Sequence, residues 1–144
     1  MRLAVRRLDP GAVLPARAHE GDAGYDLCAL EPLTLAPGER AMVRTGLAIE
    51  LPERHAGLIL PRSGLAARHG LALVNAPGLI DEGYRGELRV LLLNTDRAEP
   101  VHLAAGDRVA QLVIVRPALP DVVEVQELPA SARGDGGFGS SGGF

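Results

Sequence analysis

Apolar residues recur along this chain in short runs broken by glycine, proline and charged positions. Within the runs, apolar and polar residues alternate more often than they follow a helical period, the mark of strands half-buried in a sheet. The pattern predicts strands over residues 3–8, 25–30, 40–51, 57–60, 71–74, 87–94, 101–103, 108–115 and 122–125. Asp9-Pro10-Gly11 closes the first run and Pro37-Gly38 sets a turn before the third. One stretch departs from the pattern: Ser63–His69 reads as two turns of helix with Ser63 as N-cap. Many short strands, Gly/Pro punctuation and no internal repeat indicate an all-β, jelly-roll-like sandwich with one short helix.

The stretch that organises the rest is residues 75–87, NAPGLIDEGYRGE, set between two apolar runs. Pro77-Gly78 and, more weakly, Glu82-Gly83 signal turns around the short apolar pair Leu79-Ile80. A tight hairpin follows, with Asp81 and Tyr84 at its open edge. Read alone it is either a polar loop or a rigid frame carrying one carboxylate as a fixed general base.

At 144 residues the chain is of one-domain size and buries enough surface to fold without a disulfide or a structural metal. The composition changes after Pro129, so residues 1–129 form the domain and 130–144 a Gly-rich tail. The lone Cys28, in the apolar setting YDLCAL, reads as a small core residue and fits a reducing compartment. The net charge of −3 argues against a nucleic-acid or membrane partner. With no signal-peptide pattern and no membrane-length apolar run, a cytoplasmic protein is expected. Every one of the 15 basic residues is arginine, which excludes a P-loop lysine and Schiff-base chemistry and leaves a bidentate phosphate partner.

Histidines 19, 55, 69 and 102 lack ligand spacing, so a zinc site is not expected. Ser63 lies in Pro-Arg-Ser-Gly rather than Gly-x-Ser-x-Gly, which argues against a serine hydrolase. Behind Arg62 at a helix start it is either a plain N-cap or part of an anion site. In Gly106-Asp107-Arg108-Val109-Ala110-Gln111-Leu112, Asp107 and Arg108 read as a surface pair, while Gln111 in an apolar strand needs a polar partner. The tail from Arg133 is by composition a flexible strip; alternatively it folds over a phosphate chain, Arg133 on the anion and Phe138 on a base.

Taken together these stretches resemble the trimeric dUTPase family. The resemblance rests on Ala23-Gly24-Tyr25-Asp26-Leu27, on Pro61-Arg62-Ser63-Gly64-Leu65-Ala66, on residues 75–87, on residues 106–112 and on the tail from Arg133 to Gly142. Each is short, but five in order with compatible spacing are specific. Ser141 stands where the commonest form of the last motif has threonine, keeping the hydroxyl. The resemblance implies a jelly-roll homotrimer with shared active sites, hydrolysing dUTP to dUMP and pyrophosphate with Mg²⁺. That activity limits uracil incorporation into DNA and supplies dUMP for thymidylate synthesis. It makes Asp81 the general base, and Arg62, Ser63, Gly64, Gln111 and Arg133 the phosphate contacts. Asp26 reaches the metal through water. Asn75 and the backbone of Leu79, Ile80 and Arg89 meet uracil, Tyr84 packs on the deoxyribose, and Phe138 stacks over the base. A dCTP deaminase-like enzyme and a non-catalytic dUTP-binding module are the competing readings.

Overall fold

The computed structural model describes residues 1–137 and carries eleven strands and one helix. The strands are β1 (Ala4–Arg7), β2 (Tyr25–Cys28), β3 (Leu33–Leu35), β4 (Arg40–Arg44), β5 (Leu47–Glu50) and β6 (Ala56–Leu60). After the helix α1 (Ser63–His69) come β7 (Leu71–Leu73), β8 (Gly78–Ile80), β9 (Arg89–Asn94), β10 (Val101–Leu103) and β11 (Arg108–Val115). All pairings are antiparallel. A four-stranded sheet runs β2-β11-β6-β8 and a three-stranded sheet β4-β9-β7, with the two-stranded pairs β1-β5 and β10-β3 completing the sandwich.

The buried faces of all four sheets meet in one apolar cluster. Leu27, Leu35, Leu47, Leu88, Leu92 and Leu112 are its fully buried large residues. At roughly 1.5–3 kcal/mol for each such side chain, this burial is the main favourable term of the fold. Two buried polar residues are satisfied. Thr45 Oγ1 donates to the Leu88 carbonyl at 2.6 Å, and Asn94 Nδ2 donates to the carbonyls of Leu35 and Glu99 at 3.1 and 2.9 Å.

Five expectations change. The single strand over 40–51 is two, β4 and β5, which join different sheets because Gly46 turns the chain with φ +70°. Residues 33–35 form a strand, and 122–125 do not, having no pairing partner among the described residues. Ser63 is the first helical residue rather than the cap; Arg62 occupies the cap position, with no side-chain capping bond. Finally, 75–87 is not a simple hairpin. β7 pairs with β9, whereas β8 pairs with β6, so the chain crosses from one sheet to the other around residues 74–77, and Gly78 already opens β8. No helix among the described residues is long and apolar enough to cross a membrane.

Candidate active site

Strand register assembles the first half of the site. β11 lies between β2 and β6, with Gln111 opposite Asp26 on one side and Leu60 on the other. The chain leaves β6 at Leu60 into Pro61-Arg62-Ser63. Residues distant in sequence therefore converge at one end of the sheet, around a cleft of about 460 Å³. Gly24, Asp26, Arg62, Ser63, Gly64 and Gln111 all line it, joining three of the stretches singled out in sequence.

Asp26 is the electrostatic hub. Its side chain is 17% exposed, with Oδ1 3.2 Å from Arg62 Nε and Oδ2 3.3 Å from Arg108 Nη1. Arg62 Nη1 also donates to the Arg108 carbonyl at 3.2 Å. Two arginines on one largely buried carboxylate leave local positive charge, which suits a polyanion. Arg108 thus pairs with Asp26 rather than with Asp107, whose carboxylate instead accepts from the Ala104 N–H at 2.8 Å.

Gln111 finds the partner its buried strand requires: Nε2 donates to the Pro61 carbonyl at 3.0 Å. Its Oε1 sits over Gly24, where a Cβ would approach it at 2.5 Å. Only glycine at 24 leaves the amide this room. Ser63 is exposed, and its hydroxyl makes no hydrogen bond among the described residues, so it is available to a ligand.

The second half of the site is built from unpaired strand edges. β8 is the outer strand of its sheet, so its far edge carries free backbone groups. β7 pairs with β9 only from Leu92 to Asn94, and Val74 N–H adds a bond to the Leu91 carbonyl. Arg89 and Val90 have no strand partner on that side. Ile80, Tyr84, Gly86, Arg89 and Leu91 line a cleft of about 500 Å³ there. Tyr84 Oη donates to the Glu87 carbonyl at 3.0 Å, folding the ring over Gly86. A Cβ on Gly86 would fall 2.6 Å from the ring Cζ, so glycine is needed for that close approach.

The cleft is also lined by Glu87, a residue that sequence reasoning passed over. Its carboxylate is 8% exposed and accepts from Gly46 N–H at 2.9 Å, from Arg44 Nε at 3.1 Å and from Arg89 Nε at 3.1 Å. Desolvation pushes the Glu87 carboxyl up, but the Gly46 N–H, the Arg44 and Arg89 bonds and the Arg44 charge together outweigh it and hold the group below its ordinary value. Glu in a polar loop carries no local signal that three donors from distant elements converge on it.

The remaining candidates are not gathered at either cleft. Asp81 stands exposed just after β8, its carboxylate without a partner among the described residues and its carbonyl accepting from the Tyr84 N–H at 3.0 Å. Leu79 is 62% exposed, and Asn75 folds its amide back toward Gly78. Arg133 lies in a turn of its own, Nε donating to the Gly136 carbonyl at 2.9 Å, and lines neither cleft. Phe138 is outside the described residues. Cys28 is buried, and desolvation, then the Asp26 charge, push its thiol up, as a core residue requires.

This geometry can be set beside known proteins. A family model for dUTPase matches residues 11–142. A deoxyuridine 5'-triphosphate nucleotidohydrolase of Thermobifida fusca is 64% identical over 143 residues, 99% of this chain and 80% of that one. Among solved structures, the dUTPase of Staphylococcus bacteriophage 80alpha with dUPNHPP superposes with a TM-score of 0.92 at 33% identity, covering 98% of each chain. A mutant dUTPase from phage phi11 of S. aureus, described for its coordination of a structural Mg(II) ion, gives 0.84 at 31% identity over 90% of this chain and all of that one. The strand register, the polar cleft and these matches agree: the chain belongs to the dUTPase family.

Proposed function

We propose that this protein is a dUTP diphosphatase, hydrolysing dUTP to dUMP and pyrophosphate by in-line attack of water on the α-phosphorus. The observation that carries this reading is the register of β11, which draws Asp26, Gln111 and the Arg62-Ser63-Gly64 turn into one polar cleft. There the triphosphate meets Arg62, the free Ser63 hydroxyl and the backbone N–H groups that open α1. Gln111, held by the Pro61 carbonyl, presents its oxygen to water or phosphate.

The nucleoside takes the other cleft. The free backbone edges of Ile80 and Arg89 meet uracil there, Leu79 and Asn75 contact it from outside the cleft lining, and the Tyr84 ring packs on the deoxyribose. Cytosine presents a donor where uracil has an acceptor, and leaving such groups unpaired rejects a base by ~10⁴–10⁵. Asp81 orients the attacking water as general base. Its exposed, unpartnered carboxylate leaves it accessible for that role.

The polar and nucleoside clefts have no lining residue in common, and Asp81 lines neither. That division suits a site shared between copies of the chain, as in the homotrimer that the family resemblance implies. Arg133 and Phe138 reach a neighbouring site when the tail closes, adding charge over the γ-phosphate and a ring over the base. Among the described residues no three acidic, histidine or cysteine side chains form a metal cage. Mg²⁺ would be carried mainly by substrate oxygens and water. Asp26 is the residue to meet it through water: each carboxylate oxygen retains a free lone pair beside its arginine. Once bound, the ion neutralises phosphate charge.

The test is product release from dUTP, dCTP, dTTP and UTP with Mg²⁺. Pyrophosphate from dUTP alone is expected. Ammonia from dCTP would instead establish a deaminase, and no product from any nucleotide a binding module.

A further inference from the structure

We infer that Arg68, which no motif singles out, is a substrate-contacting residue that binds the pyrophosphate portion of the nucleotide; the inference rests on the function proposed above. Arg68 lies in the last turn of α1 and lines the same cleft as Arg62, Ser63 and Gln111. It stands four residues after Gly64, and helical side chains four apart share a face and lean toward the helix start. The guanidinium accordingly folds back over Gly64, with Nη2 3.0 Å from where a Cβ would stand. A side chain at 64 would crowd the guanidinium, so glycine there gives it room to lie over the helix start in the cleft that Ser63 also lines.

What distinguishes Arg68 is that its charge is uncommitted. Arg62 and Arg108 share Asp26, and the other nearby carboxylate, Asp22, is 3.3 Å from His19. Arg68 makes no ion pair or side-chain hydrogen bond among the described residues. Adding a ligand to Arg62 competes with its existing partner. Adding one to Arg68 does not, so its full charge is available to the densest part of the anion. Since the base is held at the other cleft, the part of the nucleotide farthest from it is the β,γ-diphosphate. This is also the leaving group, on which negative charge grows as the α-phosphorus–oxygen bond breaks.

The experiment compares wild type with Arg68→Gln and Arg68→Lys as full-length protein. Calorimetry measures the affinity of pyrophosphate with Mg²⁺ and, separately, of dUMP; steady-state kinetics give KM and kcat for dUTP. Loss of one accessible charge-assisted contact predicts about tenfold weaker pyrophosphate binding and a similar rise in KM for dUTP in Arg68→Gln. The affinity for dUMP and the melting temperature stay at wild-type values, and Arg68→Lys recovers much of the loss. Unchanged pyrophosphate binding, or equal weakening of pyrophosphate and dUMP, overturns the inference. Failure of the wild type to release pyrophosphate from dUTP would sink the proposed function instead, and pyrophosphate binding would still judge Arg68.

Discussion

Removing the carboxylate of Glu87 should be the most damaging single change near the proposed nucleoside cleft, through the contacts that it makes within the protein. Four contacts end on it: Gly46 N–H at 2.9 Å, Arg44 Nε at 3.1 and 3.2 Å, and Arg89 Nε at 3.1 Å. Breaking a fully buried charge pair costs about 3–5 kcal/mol. Here the orphaned arginines are 43% and 50% exposed and regain water, so their share is discounted. The Gly46 N–H is only partly exposed, and leaving it unpaired costs about 1–3 kcal/mol. Glu87→Ala is therefore expected to lose about 2–4 kcal/mol. Glu87→Gln, which keeps an acceptor for Gly46, should lose about 1–2 kcal/mol. Urea unfolding at one fixed protein concentration measures both, which matters if subunits associate.

The same carboxylate carries a pH signature with a definite sign. Its folded pKa is held below the ordinary value of 4.5. Its contribution is thus fully present above that value and is lost as pH falls through the lower folded pKa. The stability difference between wild type and Glu87→Gln should be flat at neutral pH and shrink on acidification below about 4.5. A Glu87→Ala protein as stable as wild type, or a difference that grows in acid, would refute the reasoning.

Three further outcomes follow from single contacts. Asp81→Asn should lower kcat by about 10²–10⁴; because the side chain is exposed and unpartnered, its unfolding free energy should stay within about 0.5 kcal/mol of wild type. Full pyrophosphate release by that variant would remove Asp81 from the base role. Gly86→Ala places a Cβ 2.6 Å from Tyr84 Cζ, displacing the ring from the Glu87 carbonyl. Selectivity for dUTP over UTP should fall by about tenfold, the worth of one lost packing contact. Unchanged selectivity would exclude the ring as the sugar wall. Cys28, whose thiol burial pushes up, should resist iodoacetamide in the native protein at neutral pH and label readily in urea; rapid native labelling would contradict its place in the core.

Local pattern made most of this fold legible where a strand's identity depends on its own residues. Ser63–His69, Val101–Leu103 and Arg108–Val115 have the bounds the sequence predicts. The failures occur where a distant partner decides. Residues 122–125 carry valines with strong strand propensity, yet no neighbouring strand offers a ladder among the described residues. The break between β4 and β5 hides because Thr45, polar in sequence, is fully buried, with its hydroxyl on the Leu88 carbonyl. The hairpin reading fails for the same reason. Nothing in NAPGLIDEGYRGE says that Gly78 will pair with Ile59. That pairing joins β8 to the sheet of β6 while β7 stays with β9. The crossing is what leaves the edges of β8 and Arg89 unpaired. The motif carries the proposed chemistry, but the cleft beside Tyr84 exists because adjacent pieces of one motif were claimed by different sheets.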